Sequence, residues 1–398
     1  MKNLWDNNEA KRFEGQYLKQ RVYSSRLLGK NPELVLHGGG NTSVKGYYKN
    51  IFNEKVETLF IKGSGWDLAS IEKDGFAPVD LKHLLKLAEL NKLTDPQMVV
   101  EQGIAKLNPE APNPSVEAIL HALIPYKFVD HTHADAVLAI TNTSRGKKII
   151  SEIYGEDILI VPYVMPGFIL AKKIAQMTKN IDWKNLKGMI LMNHGVFSFG
   201  DNAKQSYDRM ISIVSNAEKY IKKKNAWKNY NTSNTKIDLI ALSKIRQKAC
   251  KLFNQPCIAI LNKSIEAVGF SKLNVSKKLS KKGTLTPDHV IRTKPFPWIV
   301  DENIDRSAAD FLISYDNYYN KYTSKGIKKL DNAPRWALWK NHGTIAFGTS
   351  VKSTKIVHDI NAHTFRVMQI SEKIDSWKPI SLNKLFEVEY WDLEQAKL

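Results

Sequence analysis

Apolar positions in the first half of the chain alternate between short continuous runs and helical spacing. Short apolar runs predict strands at 34–36, 58–61 and 188–192, and each run leads into a loop that contains glycine. Apolar residues at helical spacing predict helices at 80–90, 115–124 and 205–222. Residues 128–140 mix strand character with two histidines. This half of the chain is therefore predicted to alternate short strands with amphipathic helices.

A polar segment separates this half from the rest of the chain. Residues 225–234, NAWKNYNTSN, have the composition of a linker or an exposed loop. The chain has 398 residues, which is enough for two or three domain-sized units. We therefore place a domain boundary near residue 235, between a first domain at 1–235 and a second at 236–398.

A short sequence recurs in the two halves. Residues 193–204 read NHGVFSFGDNAK, residues 341–352 read NHGTIAFGTSVK, and six of the twelve positions are identical. Both segments precede a helix-like stretch. An internal duplication would explain the match, and so would a common strand–turn–helix arrangement reached twice. The second half contains no HxH, so a second copy would lack a complete metal site.

The net charge of +19 does not by itself indicate a nucleic-acid binder, because the lysines are spread along the whole chain. The densest run, at 277–282, is short, and a solvated lysine-rich surface explains it better than a nucleic-acid interface. We therefore predict no nucleic-acid partner. The overall field still favours small anionic substrates.

Cysteine use and hydropathy indicate a cytoplasmic protein. The two cysteines lie seven positions apart and outside any CxxC pair, so no disulfide scaffold is predicted. Residues 1–16 are too polar for a secretory signal. No apolar run approaches the roughly 20 residues that a membrane-spanning helix needs. We expect no membrane contact.

Three histidines are candidate metal ligands. On a strand, His131 and His133 would point to the same face, and imidazole is a favoured ligand for zinc and similar metals. A lone HxH is a weak signal, because two surface histidines can fall this way by chance. His194 ends an apolar run, and Gly195 after it allows a close turn. Three protein ligands with one open position are typical of a catalytic zinc, but spacing alone does not place His194 beside the pair.

Glu117 and two glycine-rich loops complete the candidate chemistry. Glu117 lies near the start of the helix predicted at 115–124, with His121 one turn later on the same face. It is either a helix cap or a general base beside the metal. The loops HGGGNTS at 37–43 and KGSG at 62–65 each have backbone N–H groups that suit a phosphate or carboxylate. Each alone could be an ordinary turn, but together with a metal they predict a pocket for a phosphorylated substrate.

Six short segments stand out along residues 30–220: GGGNTSVK at 38–45, IKGSG at 61–65, PSVEAILH at 114–121, DHTHADA at 130–136, VPYVMPG at 161–167 and NHG at 193–195. They resemble the class II aldolase/adducin family, occur in family order and are specific as a set. Two further segments, GTLTPDHVIRTK at 283–294 and EYWDLEQAKL at 389–398, resemble the aldolase portion of long bifunctional rhamnulose-1-phosphate aldolase/lactaldehyde dehydrogenases. The sequence contains no TGxxxGxG-type loop, so dehydrogenase activity is not predicted.

The resemblance implies a fold and a set of site residues. It implies an α/β fold with three α/β/α layers around a mainly antiparallel sheet, followed by a C-terminal α/β region that we treat as a candidate degenerate repeat. It implies Zn²⁺, or another divalent cation such as Mn²⁺, on His131, His133 and His194. It implies that Glu117 is the catalytic acid/base. Tyr163 matches a proton donor from a neighbouring subunit of tetrameric relatives, although a packed core tyrosine stays open. The implied phosphate-binding residues are Asn41, Ser43, Ser64, Gly65 and Ser115.

The implied activity is cleavage of a ketose 1-phosphate, such as rhamnulose 1-phosphate, to dihydroxyacetone phosphate and a short aldehyde. Val116 stands where sugar-phosphate aldolases often have a second serine, which puts the phosphate position in doubt. Alternatives are an epimerase, dehydratase or decarboxylase that acts on a sugar or sugar acid, or a non-catalytic adducin-like binding protein. The three histidines and Glu117 argue against the last. The protein is expected to be a homo-oligomer. The second half of the chain would cover the pocket, mediate assembly or dock a separate dehydrogenase.

Overall fold

The computed structural model describes residues 1–227 and 236–396. They divide into two compact units: residues 1–141 with 145–220 form unit 1, and residues 142–144 with 221–396 form unit 2. Most of the predicted linker at 225–234, and the predicted boundary near residue 235, lie outside the described residues. The division into domains at 1–235 and 236–398 therefore stays a prediction. Within the described residues, no helix is both long and apolar enough to cross a membrane.

Unit 1 is built on a seven-stranded sheet with the order β3-β2-β1-β4-β7-β6-β5. Only the edge pair β5–β6 is parallel, and the other neighbours are antiparallel. The strands predicted at 58–61 and 188–192 are confirmed as β2 and β6. The strands are β1 Asn41–Lys49, β2 Lys55–Lys62, β3 Phe76–Asp80, β4 Phe128–Thr132, β5 Ile158–Val161, β6 Gly188–Leu191 and β7 Gly195–Gly200.

Helices cover both faces of this sheet. Adjacent residues of β4 point to opposite faces and therefore enter two different cores. Phe128 packs in a core with Val44 and residues of α2, whereas Val129 packs in a core with Leu120 of α5 and Leu170 of α8. The predicted α/β/α layers and mainly antiparallel sheet are thus confirmed. The helices are α1 Asn7–Lys11, α2 Tyr17–Gly29, α3 Leu81–Glu89, α4 Asp95–Ile104, α5 Ala118–Leu123, α6 Asp135–Thr141, α7 Gly146–Tyr154, α8 Phe168–Thr178 and α9 Ala203–Lys223.

The strand predicted at 34–36 is wrong. Leu34 and Val35 are buried, but they lie in a loop that pairs with no neighbouring strand. The loop instead supplies the carbonyl of Leu34 to the backbone N–H of His133, with N and O 2.9 Å apart. His37 and Gly38 both have positive φ, which turns the chain immediately after the apolar run. The apolar residues therefore reflect burial beside β4 and not participation in the sheet.

A buried ion pair braces the centre of the sheet. Arg21 of α2 bonds Asp130 of β4, and both side chains are fully buried. The same guanidinium donates to the carbonyls of Ser43 and Val129, at 3.2 and 3.3 Å, and so joins α2 to β1 and β4. Burial lowers the pKa of Arg21, and the adjacent carboxylate of Asp130 partly opposes that shift. The pair fixes the strand that carries His131 and leads directly into His133.

Removing one partner of this pair should destabilise unit 1 strongly. We expect Arg21→Met to lower the free energy of unfolding by about 3–5 kcal/mol, because it leaves the Asp130 carboxylate buried without its counter-charge. The double variant Arg21→Met/Asp130→Leu should lose less than Arg21→Met alone. Arg12→Met is the control, since Arg12 forms only an exposed pair with Glu9. Urea denaturation measures all three, and equal losses in the single and double variants would contradict the argument.

Unit 2 contains a four-stranded sheet with the order β8-β11-β10-β9. Its strands are β8 Ile258–Asn262, β9 Trp298–Val300, β10 Trp336–Trp339 and β11 Gly343–Gly348. The core of its sheet includes Trp298, Phe311, Tyr315 and Phe347. Its helices are α10 Leu239–Phe253, α11 Ile265–Lys272, α12 Ser276–Ser280, α13 Val290–Thr293, α14 Ile304–Tyr322, α15 Val351–Ile374, α16 Leu382–Glu389 and α17 Asp392–Gln395.

The sheet of unit 2 repeats the arrangement of four of the seven strands in unit 1. The order β8-β11-β10-β9 matches β4-β7-β6-β5, and each of the three pairings keeps its parallel or antiparallel sense. The turns between β6 and β7 and between β10 and β11 both contain an asparagine with positive φ, Asn193 and Asn341. The following helices, α9 and α15, each begin ten residues after that asparagine. This agreement supports an internal duplication over a local arrangement reached twice.

Strand register aligns the two copies residue by residue. Gly200 pairs with Phe128 in unit 1, and Gly348 pairs with Ile258 in unit 2. Counting along the paired strands, His131 corresponds to Leu261, His133 to Lys263 and His194 to His342. The C-terminal region therefore fits a degenerate repeat in which two of the three candidate ligands are replaced.

Candidate metal centre

The three candidate ligands come together at one end of β4, β6 and β7. Each of His131, His133 and His194 offers one ring nitrogen, and the three nitrogens lie within 4.8 Å of one another. All three side chains are buried. The Nε2 atoms of His131 and His133 are 3.2 Å apart. The predicted convergence of the HxH pair is confirmed, and the structure also supplies the contact with His194 that spacing could not.

Neighbouring backbone groups orient these rings. Nδ1 of His131 lies 3.0 Å from the carbonyl oxygen of Val196, and a carbonyl can only accept, so Nδ1 carries the proton. Nε2 of the neutral ring is then left with a lone pair toward the cluster, as metal-binding histidines require. The turn that presents His194 is closed by its N–H, which donates to the carbonyl of Leu191 at 3.1 Å.

Gly195 leaves no space for a side chain. A Cβ atom at this position would lie 2.5 Å from the carbonyl oxygen of Thr132, 2.7 Å from Cε1 of His131 and 3.1 Å from Cδ2 of His133. The first contact is with backbone, which cannot move without shifting β4. The glycine after His194 therefore lets strands β4 and β7 approach closely enough to form the cluster.

Adding a methyl group at Gly195 should therefore damage the metal site. We expect Gly195→Ala to weaken binding of a divalent cation by about 10–100-fold, the range seen when the surroundings of metal ligands are disturbed. Gly103→Ala is the matched control, because a Cβ there meets nothing within 4 Å and the residue lies in helix α4. Competition with a chromogenic chelator measures both affinities, and equal affinities would contradict the steric argument.

Glu117 faces the histidine cluster and does not cap its helix. It occupies the N-cap position of α5, yet its side chain makes no capping hydrogen bond. Oε2 lies 3.6 Å from Nε2 of His131, and Oε1 lies 3.9 Å from Nε2 of His194. Oε1 is buried and accepts no hydrogen bond in the structure. The helix-cap interpretation of Glu117 is therefore wrong, and the carboxylate is available at the cluster.

The donor set fits a divalent cation. Three imidazoles with a carboxylate nearby match the three-ligand pattern of catalytic zinc, which leaves a coordination position open. Nδ1 of His194 and Oε1 of Glu117 are buried polar atoms without hydrogen-bond partners in the structure. A cation at the cluster would offset the cost of burying that carboxylate.

Two of the predicted phosphate-binding residues lie directly beside Glu117. The amide Nδ2 of Asn41 is 2.7 Å from Oε2 of Glu117 and 3.2 Å from the hydroxyl of Ser115. Ser43 is fully buried, and its hydroxyl is 2.8 Å from Nδ1 of His121. The structure thus gives the Ser43 hydroxyl a protein partner, while its predicted contact with a phosphate stays a prediction.

The two glycine loops lie against each other and against the cluster. The ammonium group of Lys62 donates to the carbonyls of Gly38 and Gly40, at 2.8 and 3.0 Å, and so fixes the first loop. A Cβ on Gly39 would lie 3.5 Å from Nδ1 of His133, which places this loop beside the candidate metal ligands. Lys62 was not assigned a role from the sequence, although it lies within the KGSG loop.

The second loop is open to solvent. Ser64 and Gly65 are exposed, and the Ser64 N–H donates to the carbonyl of Asn113 at 2.8 Å, next to the segment that carries Ser115. Tyr163 is half-buried in the connection between β5 and α8. The predicted roles of Ser64, Gly65 and Ser115 at a phosphate and of Tyr163 as a proton donor stay predictions.

Comparison with known proteins agrees with this geometry. Residues 19–221 match the family described as the class II aldolase and adducin N-terminal domain, and residues 236–398 match the second domain of class II aldolases. An uncharacterized oxidoreductase of Bacillus subtilis, YuxG, is 28% identical over all of this chain, which spans 60% of the length of that relative. A solved N-terminal class II aldolase domain from Thermoplasma acidophilum is 42% identical, with a TM-score of 0.51, and covers 56% of this chain and 99% of its own.

The first match covers the whole candidate metal centre, from Asn41 to His194, and more than half of the chain. The second falls on the unit that repeats part of the first. On this evidence the chain belongs to the class II aldolase and adducin family.

Proposed function

We propose that this protein is a metal-dependent aldehyde-lyase that cleaves a ketose 1-phosphate into dihydroxyacetone phosphate and a short aldehyde. The main support for this proposal is the position of Glu117. Its carboxylate faces both His131 and His194, two members of the buried group of three histidines. A base held beside a candidate metal centre is what exchange of a proton on carbon requires. Membership of the class II aldolase and adducin family supports the same chemistry.

The proposed reaction assigns metal binding and proton transfer to different side chains. His131, His133 and His194 hold the ion, for which we propose Zn²⁺ or Mn²⁺. A bound divalent ion supplies Lewis acidity that stabilises negative charge on a substrate oxygen. Glu117 moves the proton on the carbon that is freed when the carbon–carbon bond breaks, and Tyr163 exchanges a proton with the aldehyde oxygen. We propose that Tyr163 acts across the interface of a homo-oligomer.

The loops around Glu117 would bind the phosphate. The amides of Gly38–Gly40 and Gly65 form tight turns, and Ser64 and Ser115 add hydroxyl groups at the same end of the sheet. Lys62 holds the first loop through two carbonyls and thereby keeps its N–H groups in place. We propose rhamnulose 1-phosphate as the substrate, on the similarity of 283–294 and 389–398 to the aldolase portion of bifunctional enzymes. The aldehyde would then be lactaldehyde.

Val116 favours a second candidate in the same site. It replaces the serine that often binds the phosphate, so a sugar or sugar acid without a phosphate at that place is the alternative substrate. Epimerisation, dehydration or decarboxylation would use the same histidines and the same Glu117. Product analysis separates these reactions, because only aldol cleavage yields two carbonyl compounds from one sugar.

The test is incubation of the purified protein with rhamnulose 1-phosphate and with unphosphorylated sugars and sugar acids. We expect equal amounts of dihydroxyacetone phosphate and lactaldehyde from rhamnulose 1-phosphate, and loss of both products after treatment with a chelator. Unchanged turnover after complete removal of metal would exclude the mechanism. Conversion of a sugar acid without any aldehyde would favour the second candidate.

A further inference from the structure

A chain of buried hydrogen bonds leads from Ser43 to the proposed base. The Ser43 hydroxyl is 2.8 Å from Nδ1 of His121, and Nε2 of His121 is 2.5 Å from Oδ1 of Asn41. Nδ2 of Asn41 is in turn 2.7 Å from Oε2 of Glu117. All four side chains are less than 10% exposed. The mechanism above uses only the last of these residues directly.

The direction of each hydrogen bond follows from the carboxylate at its end. An ionised carboxylate can only accept, so Asn41 must turn its NH₂ group toward Glu117 and its carbonyl oxygen toward His121. That oxygen can only accept, so Nε2 of His121 must carry a proton and donate it. Burial holds the pKa of His121 well below its ordinary value, and the nearby charges of Arg21 and Lys45 act in the same direction. A neutral ring with its proton on Nε2 accepts at Nδ1, where the Ser43 hydroxyl donates.

The backbone holds His121 where both of its nitrogens are used. Asn41 and Ser43 are two residues apart on β1, so their side chains leave the same face of the sheet and meet the two sides of one imidazole. Helix α5 carries His121, and the ammonium of Lys45 bonds the carbonyls of Ala122 and Ile124 at its end. The arrangement leaves Asn41 a single amide orientation that satisfies all of its partners.

We propose that His121 is a positioning residue whose Nε2–H fixes the Asn41 amide, so that Nδ2 of Asn41 aims the Glu117 carboxylate at the histidine triad. Only the kinetic consequence of this inference rests on the proposed function. Without the donor at Nε2, the carbonyl oxygen of Asn41 loses its partner. The amide is then free to flip, and a flipped amide would place an oxygen against the carboxylate, which repels it.

Two substitutions separate positioning from packing. His121→Leu fills similar space but removes the donor, whereas His121→Gln keeps an amide N–H near the Nε2 position. We expect His121→Leu to lower kcat by about 10–100-fold, in the range found for outer partners of metal sites. KM and metal content should stay close to those of the wild type, and His121→Gln should recover most of the lost kcat. His83→Leu is the control, since His83 is a partly exposed residue paired with Glu101.

A structural readout keeps the inference testable whatever the reaction proves to be. In crystal structures, the hydrogen bond between Asn41 and Glu117 should be broken, or the amide flipped, in His121→Leu and intact in His121→Gln. Long-range ¹⁵N NMR of the wild type should show His121 neutral with its proton on Nε2. An unchanged hydrogen bond between Asn41 and Glu117 in His121→Leu, or a proton on Nδ1, would overturn the inference. A wild-type protein without aldolase activity but with these structural results would refute the proposed function and keep the positioning role.

Discussion

Glu117→Gln is expected to lower turnover by about 10²–10⁴-fold, the contribution typical of a positioned acid or base. The amide has nearly the shape of the carboxylate, but it can neither deliver a proton to carbon in cleavage nor remove one in the reverse reaction. Because the three histidines are unchanged, the variant should still bind a divalent cation. Steady-state cleavage of rhamnulose 1-phosphate and the metal content of the same preparation measure both quantities.

Two results would contradict this role for Glu117. Wild-type turnover in Glu117→Gln would remove the carboxylate from the chemistry, and loss of the metal would make it a ligand instead of a base. Glu152→Gln is the control, because Glu152 is exposed and its carboxylate reaches only Lys148, at 4.0 Å on the same helix. That variant should match the wild type in turnover and in metal content.

His194→Ala is expected to lose both the metal and the activity. Removal of a direct ligand should cost more than the roughly 10–100-fold in affinity that outer partners contribute. Elemental analysis after gel filtration should find the variant essentially free of metal. Turnover should fall below detection, because the proposed reaction depends on the ion.

The duplicated half of the chain provides a matched control for this variant. His342 lies in the same Asn-His-Gly turn of unit 2, but its ring stacks on Trp339 with centroids 4.1 Å apart, and its Nδ1 bonds the carbonyl of Lys340 at 2.8 Å. Leu261 and Lys263 stand where unit 1 has its other two candidate ligands, His131 and His133. His342→Ala should therefore keep the metal content and turnover of the wild type. Loss of metal in this variant would mean that unit 2 also holds an ion.

The sequence was most informative where a local pattern sets the geometry. Alternation along a strand is enough to place His131 and His133 on one face, and the glycine after His194 predicts a close turn. The approach of His194 to the pair depends on β4 and β7 lying side by side, which no local pattern contains. The resemblance to a family, and not the spacing, pointed to that contact before the structure showed it.

The two incorrect interpretations, the strand at 34–36 and the helix cap at Glu117, have the same physical origin. The apolar run at 34–36 has the composition of a strand, but its burial comes from a loop packed beside β4. Glu117 has the position of a helix cap. Its carboxylate instead accepts a hydrogen bond from Asn41, on a strand far away in sequence, and faces the three histidines. In both cases tertiary contacts decide between two locally acceptable states.

The repeat is a feature that the sequence contains but cannot interpret by itself. Six identities in twelve residues could not distinguish a duplication from a local coincidence. Strand order and register can make this distinction, because they compare four paired strands of each unit residue by residue. They also align Leu261 and Lys263 of unit 2 with His131 and His133, so unit 2 keeps the strands but lacks two of the three candidate ligands.

The proposed chemistry depends on His131, His133 and His194 binding one divalent ion beside Glu117. The decisive experiment is a crystal structure of the purified protein, with anomalous data collected on both sides of the zinc edge. We expect a single strong anomalous peak about 2.0–2.1 Å from one nitrogen of each of the three rings. A metal bound elsewhere in the chain, or full turnover by crystals that lack the peak, would be incompatible with this site.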